Sequence, residues 1–181
     1  ISVSVDGFEE THDALRGVRG SYKAALEALK NARDAGIHVS CNTQIGRANL
    51  HEIEPLFAVL ADQGIHSWQV QRTVAMGRAA DEPNLLLEPY QVLEVLPMLA
   101  RIKRNSADPR KVRIWPGNNI GYFGPHEVVL RSRPFGKDTS WRGCMAGAYI
   151  LGIESDGTVK ACPTLPTESY GACNVLEMEL E

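Results

Sequence analysis

The sequence has no run of about 18 apolar residues, which a membrane-spanning helix would require, and no signal-peptide pattern at its start. Basic charge is also scarce: the formal net charge is −3, and the only dense basic stretch covers residues 101–104. A nucleic-acid partner is therefore not expected, because phosphate binding depends on clustered Lys and Arg. Four cysteines are too few for a disulfide scaffold and favour metal ligation in a reducing compartment, so we expect a cytoplasmic protein.

The remaining composition is that of an ordinary globular protein, with 44% hydrophobic and 23% charged residues among 181. The chain begins without Met on the strand-like segment ISVSVD and stops inside VLEMELE. From this we expect a piece of a longer protein.

A strand–helix unit repeats along the first half, which predicts an α/β fold with a parallel sheet and right-handed crossovers, open or barrel-like. Within the second helix, Asn49 and Glu52 form a capping-box pattern. Pro97 predicts a kink or break in the third helix. The predicted strands cover residues 1–5, 37–43, 65–73 and 112–115, and the predicted helices cover residues 21–35, 49–64 and 89–104.

Two cysteines bracket a predicted hairpin near the end of the chain. Its strands cover residues 149–154 and 158–161, joined by a two-residue turn at Asp156 and Gly157, since Gly tolerates positive φ. Cys144, Gly157 and Cys162 form a Cys-x12-Gly-x4-Cys arrangement that can bring two thiols together, as an iron–sulfur cluster requires. A buried pair of small hydrophobic residues, a disulfide and a zinc-binding hairpin remain as alternatives.

Polar side chains follow three of the predicted strands where each strand ends. Ligands of parallel α/β proteins bind at this end of the sheet. Each residue alone is explained by a helix cap or a loop hydrogen bond, but together they favour a site for a ribose and a carboxylate. The three sets are Ser4, Asp6, Gly7 and Arg16; Asn42, Thr43, Gln44, Arg47 and Asn49; and Gln71, Arg72, Thr73, Gly77 and Arg78.

The order of several blocks resembles that of radical S-adenosylmethionine (radical SAM) enzymes with a SPASM or twitch appendage. The blocks are ISVSVDGFEETHDALRG, CNTQIGRAN, WQVQRTVAMGRA, GCMAGAYILGIESDGTVKACP and SYGACNVLEMEL. The resemblance implies the second half of a partial (β/α) barrel over residues 1–115, a connector over residues 116–142 and the start of the appendage over residues 143–181. In that family a [4Fe–4S] cluster reductively cleaves S-adenosylmethionine, and the resulting 5′-deoxyadenosyl radical abstracts hydrogen from a substrate.

The resemblance also implies roles for individual residues, although it assigns no catalytic residue. Ser4, Asp6 and Arg16 belong to the Ser-x-Asp-Gly…His-Asp-x-x-Arg pattern, in which the serine and arginine contact the methionyl and ribose portion of the cofactor. The remaining expected contacts are Asn42 and Thr43 beside the adenosyl group, the backbone from Val74 to Gly77 beside the adenine, and Cys144 and Cys162 as auxiliary-cluster ligands.

Two family motifs are absent from this sequence. It lacks the Cys-x3-Cys-x2-Cys loop that holds the core cluster and the Gly-Gly-Glu segment that binds the methionine amino group. We therefore expect the 181-residue chain alone to be inactive. The resemblance implies that the longer protein modifies a peptide or protein, or builds a peptide-derived cofactor. The alternative is a non-catalytic half barrel that binds a peptide or partner protein. An open edge at the first strand predicts dimerisation.

The other cysteines, histidines and tryptophans have simpler interpretations. Cys41 is expected to be a core thiol, and Cys173 a small buried residue or a third ligand. The five histidines show no paired metal-ligand spacing and are expected in loops and on the surface. Trp68, Trp115 and Trp141 are expected to be packing anchors.

Overall fold

The computed structural model describes residues 1–105, 112–117, 120, 124–132 and 143–178. The chain divides into two compact units, Ile1–Trp141 and Arg142–Glu181. Most of the predicted connector over residues 116–142, including Trp141, lies outside the described residues. No helix in the described part of the chain is long and apolar enough to cross a membrane.

The first unit is built on a four-stranded parallel sheet whose strands lie in chain order, β1-β2-β3-β4. This arrangement confirms the predicted α/β class and parallel sheet. β1 lies at one edge of the sheet, as expected. The strands are β1 (Ser2–Ser4), β2 (Ser40–Ile45), β3 (Ser67–Arg72) and β4 (Arg113–Pro116), and the helices are α1 (Glu9–Arg16), α2 (Ser21–Asp34), α3 (Ile53–Asp62), α4 (Arg78–Asp81), α5 (Val92–Asn105) and α6 (Glu127–Arg131).

One face of the sheet packs against helices and carries the hydrophobic core. Burial alternates along β2 and β3, because successive side chains of a strand point to opposite faces. Cys41 is fully buried, as expected, and burial raises the pKa of its thiol to about 12. Trp68 is also fully buried and packs on Phe57 of α3, with ring centroids 5.3 Å apart. The core residues from the helices are Leu29, Ile53, Leu56, Leu60, Ala61, Val95, Leu96, Met98, Leu99, Ala100, Ile102 and Leu130.

Helix α1 was not predicted and replaces the expected loop before Arg16. Glu9 and Glu10 lie in its first turn and Arg16 in its last, which suits the helix dipole. Gly17 ends the helix at φ 68°, and its N–H donates to the carbonyl of Ala14. The acidic first turn, the basic last turn and Gly17 can be read from the sequence. The helix has only eight residues, however, which is shorter than the window in which helical periodicity is recognised.

The predicted capping box in this unit was wrong, and Pro97 does not produce the predicted break, while the kink stays a prediction. Asn49 makes no side-chain capping bond, because its amide is bonded to strand ends, and Glu52 instead accepts from the Phe8 N–H at 2.7 Å. Helix α5 continues through Pro97 from Val92 to Asn105. Because Pro97 has no N–H, the Leu93 carbonyl lacks its usual helical hydrogen-bond donor. Leu93 is exposed, so water can donate to this carbonyl instead.

The second unit contains a three-stranded antiparallel sheet of order β5-β6-β7. β5 (Gly152–Ile153) and β6 (Thr158–Lys160) form the predicted hairpin, with shorter strands, and β7 (Gly171–Asn174) follows the unpredicted short helix α7 (Thr167–Tyr170). The turn has three residues instead of two. The Glu154 N–H donates to the Thr158 carbonyl at 2.9 Å, which leaves residues 155–157 as the loop. Gly157 has φ 88° and supplies the left-handed residue that ends hairpin loops of three residues.

Replacing Thr43 by Val tests the core side of the sheet. The Thr43 hydroxyl donates to the Val5 carbonyl at 2.6 Å and accepts from the Trp68 indole N–H at 2.8 Å. Because all three residues are fully buried, Thr43→Val leaves two polar atoms unsatisfied and is expected to lower the free energy of unfolding by about 1–3 kcal/mol in urea denaturation. Thr43→Ser keeps the hydroxyl, so an equal loss in both variants would contradict this account.

Candidate functional site

A buried carboxylate organises the carboxyl end of the sheet. Asp6 follows β1 and is only 4% exposed. One carboxylate oxygen accepts from the Gln44 backbone N–H of β2 at 2.8 Å, and the other lies 2.6 Å from the Arg16 guanidinium of α1. Charge-assisted bonds of this kind are roughly twice as strong as neutral ones. Asp6 therefore fixes Arg16 relative to the ends of two strands.

His12 holds the backbone of Asp6 from within α1. The Asp6 N–H donates to His12 Nδ1 at 3.0 Å, which requires that nitrogen to be unprotonated. Burial lowers the pKa of His12, although the nearby carboxylates of Asp6 and Asp13 oppose this shift. The expectation of a surface or loop histidine was wrong for this residue, since it is 2% exposed.

Asn49 joins the ends of β1 and β2. Its side-chain N–H groups donate to the carbonyls of Asp6 and Gln44, the latter at 2.7 Å, and its carbonyl oxygen accepts from the Gly46 N–H at 2.8 Å. Asn49 is fully buried. Three bonds to backbone groups make it the link that holds these strand ends together.

These strand ends surround a cavity of about 230 Å³. Its polar lining comes from the segment after β1, from α1, from the end of β2, from the loops after β2 and β3, and from the start of α4. Two guanidinium groups, a carboxylate, amides and a hydroxyl thus line a common space, which contains part of the polar set expected at the strand ends. The lining residues are Asp6, Leu15, Arg16, Gln44, Gly46, Ala48, Asn49, Thr73, Met76, Arg78, Ala79 and Leu85.

The face of the sheet opposite the helices is polar. Parallel sheets are normally buried on both faces and rich in Val, Ile and Leu, whereas here small hydroxyl and amide side chains line a second space of about 390 Å³. Trp115 is 41% exposed and lies on this face, so it is not the packing anchor that was expected. The other lining residues are Ser2, Ser40, Asn42, Ser67, Gln69, Pro116 and Gly117.

The residues expected to contact a cofactor fall into two groups. Ser4 pairs with Asn42 in neighbouring strands, so both belong to the polar face, and Asp6 and Arg16 lie at its carboxyl end. Thr43 lies on the opposite face, fully buried, with its hydroxyl bonded inside the core. This placement does not suit direct contact with a cofactor.

The loop after β3 carries the two remaining expected contacts. Val74 is 38% exposed, and its carbonyl accepts from the Met76 N–H at 2.8 Å. Gly77 has φ 55°, and a Cβ at this position would meet nothing within 4 Å. Met76 of the same loop lines the smaller cavity, so the loop borders that space.

The second unit holds three of the four cysteines, all as thiols. Cys144 is exposed, Cys162 and Cys173 are half-buried, and Cys173 lies on β7 opposite Val159. A Cβ added to Gly147 would lie 3.2 Å from that of Ala161, so the segment after Cys144 packs beside the residue before Cys162. Thr164 lowers the pKa of Cys162 through a side-chain hydrogen bond, with sulfur and oxygen 3.0 Å apart, and through its backbone N–H.

The donor set at the strand ends fits part of S-adenosylmethionine. A guanidinium suits its carboxylate, and hydroxyl and amide groups suit its ribose. The cavity of about 230 Å³ is smaller than the roughly 300–1,000 Å³ of ligand pockets, so it does not enclose a whole ligand of this size by itself. An iron–sulfur cluster requires about four ligands, and nowhere in the described ranges do three His, Cys, Asp or Glu side chains meet in a metal-binding group. A complete cluster site is therefore not formed there.

Known proteins are similar to most of the chain, although no family model matches it. The AdoMet-dependent heme synthase of Nitratidesulfovibrio vulgaris is 29% identical, over 89% of this chain and 45% of its own length. The mycofactocin maturase MftC of Mycobacterium ulcerans is 27% identical, over 97% of this chain and 44% of its own length. The crystal structure of Streptococcus suis SuiB bound to S-adenosylmethionine has a TM-score of 0.69 at 14% identity and covers 99% of this chain and 40% of that chain.

These comparisons confirm the relation to radical SAM enzymes that the sequence blocks indicated. The structural likeness supports the α/β fold with its separate antiparallel sheet. The chain spans less than half the length of each of these proteins.

Replacing Asn49 by Asp tests the link between the strand ends. The substitution keeps the shape but replaces an amide N–H group, which donates to two backbone carbonyls, by a carboxylate oxygen. The free energy of unfolding is expected to fall by about 2–4 kcal/mol, because a buried charge then faces two acceptors. His51→Gln, at an exposed neighbour, should change it by less than about 0.5 kcal/mol. Equal urea midpoints for both variants would contradict the proposed link.

Acid pH tests the buried state of His12. Because burial lowers its pKa below the ordinary 6.5, the unfolded chain binds a proton first as the pH falls. The contribution of His12 to stability is therefore present above pH 6.5 and is lost below it, by up to about 1.4 kcal/mol per pH unit. His12→Asn retains an acceptor but does not titrate, so its unfolding free energy should depend less on pH. Identical pH profiles in urea would refute the assignment.

Proposed function

We propose that this chain forms the second half of a radical SAM partial barrel, followed by the start of a SPASM or twitch appendage. The single observation that carries the proposal is the Asp6–Arg16 pair at the carboxyl end of a parallel sheet whose open face is polar. A face of serines and amides does not form the packed interior of a closed barrel, which bulky branched residues fill. It suits a cavity that holds a cofactor and a substrate. The relatives in the comparisons support the same assignment.

S-adenosylmethionine is the proposed cofactor, and a [4Fe–4S] cluster would supply the electron that cleaves it. In this proposal Ser4 and Asn42 bind ribose hydroxyls from the polar face, Asp6 fixes Arg16, and the backbone from Val74 to Gly77 borders the adenine. Thr43 has a supporting role behind the site, because its hydroxyl is bonded to Val5 and Trp68.

The thiols of Cys144 and Cys162 are proposed as auxiliary-cluster ligands. Packing of Gly147 beside Ala161 and the lowered pKa of Cys162 support this role, because the thiolate is the ligand that iron–sulfur clusters use. Two thiols do not complete a cluster, so further ligands must come from elsewhere. Cys173 on β7 is a further thiol of the same unit.

A peptide or protein is the proposed substrate. MftC is a maturase, and another crystal structure with a TM-score of 0.62 contains SuiB bound to the precursor peptide SuiA. A porphyrin is the second candidate, because a relative at 29% identity is a heme synthase. The non-catalytic half barrel remains the alternative from another class. In that case the edge strand β1 would pair with a second copy, whereas in the enzyme it would pair with a preceding barrel strand.

Formation of 5′-deoxyadenosine tests the proposed activity. The full-length protein is reconstituted anaerobically with iron and sulfide, then given S-adenosylmethionine and dithionite. Chromatography should detect 5′-deoxyadenosine from the full-length protein and none from the 181-residue chain. Addition of a precursor peptide is expected to increase the yield more than addition of an iron porphyrin does.

Two outcomes would contradict this account. A reconstituted full-length protein that binds its cluster but yields no 5′-deoxyadenosine would favour the non-catalytic module. A greater yield with the porphyrin would replace the peptide by the second candidate while preserving the enzyme class.

A further inference from the structure

The described part of the second unit has almost no hydrophobic core. Among residues 143–178, only Gly152, Val159 and Lys160 are buried. Lys160 is 4% exposed, although lysine is rarely buried unless its charge is paired. The buried side chains of this unit are therefore one apolar group and one charged group, and the charged group needs an explanation.

The ammonium group of Lys160 has a partner for each of its three N–H donors. It forms an ion pair with Glu154, and it donates to the Leu165 carbonyl at 2.7 Å and to the Thr167 hydroxyl at 3.1 Å. These partners satisfy a charge that would otherwise be costly to bury. Lys160 thereby joins three parts of the unit: the residue after β5, the end of β6 and the start of α7.

The loop that Lys160 holds is the loop that carries Cys162. The Leu165 N–H donates to the Cys162 carbonyl at 3.2 Å, so residues 162–165 form a turn. Lys160 bonds the carbonyl at the end of this turn, and the Cys162 sulfur lies 3.0 Å from the Thr164 hydroxyl oxygen within it. Bonds among groups of this chain thus define the position of the thiol.

We propose that Lys160 is a positioning residue that preorganises the Cys162 turn for an iron–sulfur cluster. The inference rests on the proposed role of Cys162 and adds a residue that does not itself bind metal. Many small metal-binding units become ordered only when the metal binds, and the cost of ordering weakens the binding. A turn that Lys160 already holds avoids this cost.

Hydrogen exchange of the cluster-free full-length protein tests the positioning. Lys160→Met keeps a side chain of similar length, and the Glu154 carboxylate, whose side chain is 39% exposed, can be solvated. The Leu165 amide is expected to exchange about 10–100-fold faster, the range for loss of a hydrogen bond from a charged donor. Lys30→Met is the matched control, since it removes an exposed lysine that pairs with Asp34 in the first unit, and it should leave this amide unchanged.

The same measurement on the reconstituted protein separates preorganisation from a merely structural role. A bound cluster would itself hold Cys162, so the difference in Leu165 exchange between Lys160→Met and the unmodified protein should largely disappear. The visible and electron paramagnetic resonance spectra of the loaded variant should stay unchanged, because Lys160 is not a ligand.

Removal of iron by a chelator tests the connection with the cluster. The auxiliary-cluster signal of Lys160→Met is expected to decay about 10-fold faster or more, because the released turn must be ordered again. Thr167→Val removes one bond of the ammonium and keeps the ion pair. It should show a smaller change in the same direction, and it decides the question if thermal unfolding shows that Lys160→Met does not fold.

Three results would overturn the inference. They are unchanged Leu165 exchange in the cluster-free variant, faster exchange that persists to the same extent with the cluster bound, or an unchanged rate of cluster loss. If the unmodified full-length protein forms no auxiliary cluster on reconstitution, the proposed role of Cys162 itself fails, and this outcome is distinct from the other three.

Discussion

The buried carboxylate of Asp6 is the constraint on which the candidate site depends. A carboxylate that is 4% exposed is costly unless its oxygens are bonded, and here they bind the Gln44 N–H and the Arg16 guanidinium. His12 and Asn49 bond the backbone on either side of this carboxylate. Elements that are far apart in the sequence thereby meet at one point of the sheet, with side chains in defined positions before any ligand binds.

The two faces of the sheet differ in composition, because one is packed as the hydrophobic core and the other is polar. Trp68 and the helices bury one face, where even the Thr43 hydroxyl is bonded within the core. The opposite face carries Asn42, Gln69 and the partly exposed Trp115, which do not fill space as a hydrophobic core would. Because strand side chains alternate, one short segment such as β2 contributes to both faces. We therefore expect a conservative change at Thr43 to lower stability, and one at the neighbouring Asn42 to alter the proposed ligand binding instead.

Sequence patterns predicted the βαβ order and the cluster of polar residues at the strand ends, because both follow from local spacing. They did not predict the role of His12 or Asn49, since each makes its bonds with backbone groups that only the folded sheet brings near. The face occupied by Thr43 was also missed, because resemblance to a motif gives a position and not a side-chain direction. In the second unit, Asp156 and Gly157 correctly indicated a hairpin, but the turn length depended on the Glu154–Thr158 pairing.

Hydrogen exchange of the full-length protein with and without S-adenosylmethionine tests the central claim most directly. The account predicts that the cofactor slows exchange of the backbone amides at Asp6 and Gln44 and in the loop from Val74 to Gly77, because these amides border one cavity at the strand ends. Amides in the helix-covered core, such as Trp68, should change little. Slowed exchange confined to other parts of the protein, with none at the strand ends, would contradict the account.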